Sequence, residues 1–196
     1  IFMSEKRIGI IGLPQTKSGK IVVLPIHWED ISKKKKEKTS NTDYVALTPD
    51  KLGFISGGVK HEDLVNGLDF FTALNHALIR ETRSEWGVEI AHNSISNIGI
   101  LGNIQQEREG KEIDYLVQIA WYISLSDQQV AKFDQAAKEM LVKMGVEVDS
   151  HFETPKLEPN QLSGFLQDYK KRLRPAAQLA LMARNELQGK PRVSTE

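Results

Sequence analysis

Arg80-Glu81-Thr82-Arg83-Ser84-Glu85-Trp86-Gly87-Val88 is the stretch that decides how this chain reads. Coiled as a helix, it sets Glu81, Ser84 and Glu85 along one stripe, because residues three and four apart are neighbours on a helix surface. Glu81 and Glu85 can then offer two carboxylates to a single point. Two hard oxygen donors suit Mg²⁺ or Mn²⁺, cations usually held by one or two carboxylates together with substrate phosphates, so a diphosphate is the natural second half of such a site. The competing fate of paired glutamates on a helix face is plain solvation. Gly87 falls where a helix C-terminal glycine belongs.

Working outward, Gly53-Phe54-Ile55-Ser56-Gly57-Gly58 reads as an apolar strand end running into a double-glycine loop. Asp69 can cap the helix, its carboxylate accepting from the first exposed N–H groups. Phe70, Leu74, Ala77 and Leu78, with Phe71 at the margin, form an apolar stripe at helical spacing and are expected in the core. The stripe leaves Glu81 and Glu85 near the helix C-terminus, aimed at the Gly57–Gly58 loop. Arg80 is expected to brace this arrangement through a glutamate or the loop carbonyls, the alternative being a surface ion pair.

The order strand, Gly-Gly, helix, Arg-Glu, Glu, Gly, apolar residue resembles the signature of the Nudix hydrolase family. That pattern runs Gly, five residues, Glu, seven residues, then Arg-Glu-apolar-any-Glu-Glu-any-Gly-apolar. Arg80, Glu81, Glu85, Gly87 and Val88 fill its Arg, first Glu, last Glu, Gly and closing apolar positions, and Gly58 its opening Gly. Three departures stand out. Ser84 replaces the first glutamate of the Glu-Glu pair, Thr82 takes the apolar position, and eight extra residues separate Gly58 from Arg80. The early glutamate is consequently split between two positions, Thr72 by ungapped counting and Glu62 by distance from the glycines.

The resemblance implies an α/β fold, a Nudix-like α/β/α sandwich with a mixed β-sheet, here with extra C-terminal helices. It implies a Mg²⁺- or Mn²⁺-dependent hydrolase that cleaves the diphosphate of a nucleoside diphosphate linked to another moiety. Glu81 and Glu85 would be the metal ligands, Arg80 would complete the catalytic set, and Gly57 and Gly58 would permit close approach of the protein backbone to the substrate and leave room for its phosphates. Glu107, Glu109 and Glu112 are the candidates for an assisting carboxylate outside the signature. The alternative is a Nudix-like module, weakened or inactive, that binds a nucleotide or another protein.

The chain has 196 residues and 40% hydrophobic composition, enough to bury a sizeable core as one domain over 3–189, followed by a tail at 190–196. Basic and acidic residues balance at 26 each, so net charge recruits neither nucleic acid nor an anionic membrane. The absence of cysteine excludes disulfides, thiolate zinc sites and a cysteine nucleophile. No apolar run reaches the roughly 18 residues needed to span a bilayer, and no signal-peptide pattern is seen. A cytoplasmic protein acting on a small nucleotide-type substrate is expected, and the resemblance admits a homodimer.

Elsewhere, Arg7–Gly12 and Ile21–Trp28 read as strands, as do Tyr44–Leu47 and Leu52–Ser56. Lys33–Lys38 reads as a solvated loop. Ile95–Gln105 and Tyr115–Leu125 form a hairpin with a charged tip. A helix from Ser126 to Met144 should bury Val130, Phe133, Ala137, Met140 and Leu141. A helical extension over about 160–188 divides at Pro175 into Gln161–Leu173 and Pro175–Leu187. It carries Lys170, Lys171, Arg172 and Arg174 on a face expected to be solvated. The histidines show no pair at metal-ligand spacing, and only His61, beside the glycines, is considered as a substrate contact.

Overall fold

The computed structural model describes residues 5–25, 52–64, 69–108, 111–143 and 145–189. The Lys33–Lys38 run, the Tyr44–Leu47 strand and the tail therefore lie outside the described residues.

Strand β1 (Glu5–Gln15) is the axis of the sheet. Its run Ile8-Gly9-Ile10-Ile11-Gly12-Leu13 is apolar on both faces, the pattern of a strand covered from both sides. On one flank it pairs in parallel with β7 (Lys111–Ser124), which pairs antiparallel with β6 (Ile95–Arg108). On the other it pairs antiparallel with β2 (Ile21–Val22) and with β5 (Ile55–Gly58), and β2 continues to β8 (Lys156–Leu157). The sheet is thus mixed, in the order β6-β7-β1-β2-β8 with β5 also on β1. A second, two-stranded sheet joins β3 (Leu24–Pro25) to β4 (Leu52–Gly53).

Several expected boundaries move. The strand expected from Ile21 breaks between β2 and β3, and the one expected from Leu52 breaks between β4 and β5. Gly57 and Gly58 are paired strand residues opposite Ile10 and Gly9, not loop. The β6–β7 hairpin extends into its charged tip, with Glu107 opposite Glu112 and Arg108 opposite Lys111.

Helices cover both faces. Helix α1 (Phe70–Trp86) and helix α2 (Asp127–Lys143) pack over one core with Ile10, Ile55, Leu74, Leu78, Ile123 and Phe133. Helix α3 (Leu162–Tyr169) and helix α4 (Pro175–Gly189) pack over the other with Ile11, Leu13, Phe54, Ile119 and Phe165. A 3₁₀ turn at Lys170–Arg172 separates these last helices, so the expected Gln161–Leu173 helix is shorter. All five residues expected to be buried on α2 are buried. Phe70 and Phe71 are not, at 39% and 57% exposed; the buried stripe of α1 begins one turn later, at Ala73 and Leu74.

Candidate active site

Helix α1 is fixed at both ends. Asp69 accepts from the Thr72 amide at 3.1 Å, which satisfies one of the unpaired donors of the first turn. At the other end Gly87 adopts φ 63° and its amide donates to the Arg83 carbonyl, the 5→1 bond of an αL cap, while the Val88 amide reaches the Thr82 carbonyl at 3.4 Å. Val88 is fully buried beyond it, so the cap is clamped by core packing. Thr82, departing from the family's apolar position, is also fully buried and donates its hydroxyl to the Leu78 carbonyl at 2.7 Å. The position keeps its apolar role through the methyl group.

This framing lays Glu81 across Gly57. A Cβ built on Gly57 would stand 2.3 Å from Glu81 Cγ and 2.7 Å from Oε1, so no other residue fits without displacing the carboxylate. Gly58 differs: nothing lies within 4 Å of a Cβ built there, and its carbonyl accepts from Arg80 Nη2 at 2.9 Å. The two glycines have separate tasks, one making room for the helix carboxylate and the other leaving open space beside a strand end.

Arg80 joins the parts. Besides Gly58 it donates to Glu81 Oε1 through Nη1, and to Asp63 through Nε at 3.1 Å and Nη2 at 2.8 Å. Asp63 sits in a 3₁₀ turn (His61–Leu64), is 3% exposed, and also accepts from the Lys60 amide at 2.8 Å. Burial pushes the Asp63 carboxyl up, but the Arg80 and Lys60 hydrogen bonds outweigh it and hold the group below the usual carboxylate range. The same pairing to Asp63, opposed by burial and aided by Glu81, raises the Arg80 guanidinium above its ordinary value.

Asp63 was missed in the sequence, where Glu62 and Thr72 were the candidates for the early acidic position. Glu62 is exposed and reaches only 3.5 Å from Arg80 Nε, and Thr72 bonds the Asp69 cap. The signal was present: counted from Gly57, five residues intervene before Asp63, with aspartate standing for glutamate. The additional residues then all fall between Asp63 and Arg80.

Glu85 lies one turn beyond Glu81 and is half-buried; Ser84 is exposed and donates its hydroxyl back to the Glu81 carbonyl at 3.3 Å. Among the described residues no group of three or more histidines and acids gathers to hold a metal. The donors present are Glu81, lying against Gly57 of the strand end, and Glu85, one turn further along the helix, a set that fits a cation shared with substrate phosphates and does not fit a closed protein cage. His61 is exposed in the 3₁₀ turn. Glu107 and Glu112 lie at the far end of the β6–β7 hairpin. Val117 is level with Gly9 and hence with Gly58, which puts Glu112 five residues further along, roughly 17 Å away at strand rise. Glu109 lies outside the described residues.

A double glycine on a strand end, an acid-braced arginine and a glutamate seated over glycine form one unit on this sheet. Solved chains that this protein is similar to include Nudix hydrolases. A MutT protein from Methanosarcina mazei Go1 matches over 97% of this chain and 100% of its own, at 14% identity and TM-score 0.45. A NUDIX hydrolase from Alicyclobacillus acidocaldarius matches over 94% and 93%, at 10% identity and TM-score 0.46. The C. elegans Ap4A hydrolase matches over 95% and 98%, at 14% identity and TM-score 0.40. No protein-family model and no curated protein sequence matches the chain.

Proposed function

We propose that this protein is a Nudix-type hydrolase that uses Mg²⁺ or Mn²⁺ to cleave the diphosphate of a nucleoside diphosphate linked to another moiety. The observation that carries this reading is Glu81 seated over Gly57 and held there by Arg80. An exposed, purely solvated glutamate pair would need neither the glycine nor the brace, and the Glu81 side chain is only 13% exposed.

In this reading Glu81 and Glu85 hold the cation, whose contribution when bound is to offset charge on the diphosphate oxygens during attack by water. Arg80 sets the position of Glu81 and ties it to Gly58, fixing helix against strand end before substrate arrives. The open space beside Gly58 receives the phosphates. A carboxylate that takes the proton from the attacking water adds about 10²–10⁴-fold. Glu107, Glu109 and Glu112 are the outside candidates for it, of which Glu107 and Glu112 lie at the far end of the β6–β7 hairpin. Ser84 supplies a hydroxyl where the family pattern has a carboxylate, so metal affinity is weaker than in a full box.

Ser84 also supports a second reading, a silent nucleotide-binding module, because its hydroxyl is turned onto its own helix backbone. Phosphate release after phosphatase coupling, from a panel of nucleoside diphosphate derivatives with Mg²⁺ or Mn²⁺, separates the two. Turnover that is lost in Glu85→Gln supports the hydrolase. Silence in the native chain with activity in Ser84→Glu supports the module.

No helix among the described residues is long and apolar enough to cross a membrane. The reading places a small nucleotide-type substrate at this site.

A further inference from the structure

Two imidazoles that the sequence keeps far apart meet behind Arg80. His76 lies on α1 and His92 opens a 3₁₀ turn (His92–Ser94), and their ring centroids are 4.8 Å apart with planes inclined by 62°. Both line an open pocket of about 340 Å³ together with Asp63, Ile79, Arg80 and Arg83. His76 is half-buried and His92 exposed, so both are within reach of solvent.

We propose that His76 and His92 form a binding site for a transition-metal dication of the Zn²⁺, Ni²⁺ or Cu²⁺ class, separate from the Glu81–Glu85 stripe. The spacing suits it. A metal–imidazole bond of about 2.0–2.1 Å puts two ring centres on one ion roughly 4.5–5.2 Å apart at cis angles, and rotation of the exposed His92 ring turns a nitrogen toward its partner.

Arg80 and Asp63 are already committed to each other and to their neighbours, and Arg83 is engaged through Nε. Arg80 donates through Nε, Nη1 and Nη2 to Asp63, Glu81 and Gly58, and Arg83 donates to Glu89. Asp63 is taken by Arg80 and Lys60. Among the described residues the two imidazoles engage only each other. Imidazole nitrogen selects borderline transition metals over Mg²⁺, which prefers oxygen. No third histidine or acid joins the pair among the described residues, so water completes the coordination.

The test is calorimetric titration of the untagged full chain with Zn²⁺, paired with electron paramagnetic resonance of the Cu²⁺-loaded protein. The expected result is one ion per chain with superhyperfine structure from two imidazole nitrogens. His92→Asn should weaken binding by about tenfold or more, since the second imidazole acts at high effective concentration, and should remove one nitrogen from the spectrum. His76→Asn should do the same, and Glu81→Gln with Glu85→Gln should leave both readouts unchanged. A His92→Asn protein of native circular dichroism that titrates like the parent overturns the proposal, as does a Cu²⁺ spectrum without two nitrogens. His92 is exposed, so its variant decides the matter even where His76→Asn fails to fold.

Discussion

Asp63 accepts from both Nε and Nη2 of Arg80, at 3.1 and 2.8 Å, and thereby ties a 3₁₀ turn to the C-terminal half of α1. The fork fixes the guanidinium plane, and the plane decides where Nη1 meets Glu81. Breaking a buried pair of this kind costs about 3–5 kcal/mol; Arg80 retains 22% side-chain exposure, which lowers the expectation for Asp63→Asn to about 2 kcal/mol. Urea denaturation at pH 7 checks it.

The same pair sets a pH dependence. Asp63 is held below its ordinary value of 3.8, so its contribution is complete above that value and is lost as pH falls through the lower folded value. Stability of the parent should decline below about pH 4, and Asp63→Asn should decline less steeply. Equal slopes for the two proteins between pH 5 and pH 3 would remove Asp63 from this role.

Gly57→Ala and Gly58→Ala should behave differently although the residues are adjacent. A methyl group at Gly57 drives into Glu81, an overpacking expected to cost about 1–3 kcal/mol and to abolish turnover by displacing the carboxylate. At Gly58 it meets nothing within 4 Å, and stability should stay within about 0.5 kcal/mol. Thermal melts of the two variants side by side, with turnover measured on each, give the comparison.

Thr82→Val should be nearly silent. The site is fully buried, valine keeps the methyl packing, and only the hydrogen bond to Leu78 is lost, worth about 1 kcal/mol. A loss above about 3 kcal/mol would mean that the hydroxyl does more than close a helix bond.

Turnover, where found, should vanish with EDTA and return with Mg²⁺ or Mn²⁺, and Ser84→Glu should lower the metal concentration needed for half-maximal rate. A rate indifferent to EDTA would place the chemistry outside the Glu81–Glu85 stripe.

The helices that carry strong local signals were legible in the sequence. Asp69, the apolar positions from Leu74 onward and Gly87 define α1, and a capping box at Ser126 and Gln129 with five apolar positions defines α2. Phe70 and Phe71 misled because an apolar residue in the first turn has no neighbour beneath it until the helix reaches the sheet. Gly57 and Gly58 look like loop by propensity, yet the ladder to β1 overrides it, a tertiary preference that no local pattern carries. Asp63 escapes a count that runs back from Arg80 across the extra residues, and shows only when the count runs forward from Gly57. The contact of His76 with His92 joins two elements, so no spacing along the chain could show it.

Across the β1–β5 ladder Gly57 faces Ile10 and Ser56 faces Ile11, and these two isoleucines belong to opposite cores. A slip of one residue would exchange the cores and bring a side chain under Glu81. Relative to the family pattern, the nine extra residues between Asp63 and Arg80 leave that ladder untouched. Tolerance to changes in length therefore divides at one short turn: the chain can grow after Asp63, while a single insertion within β5 would disarm the site and unseat both hydrophobic layers together.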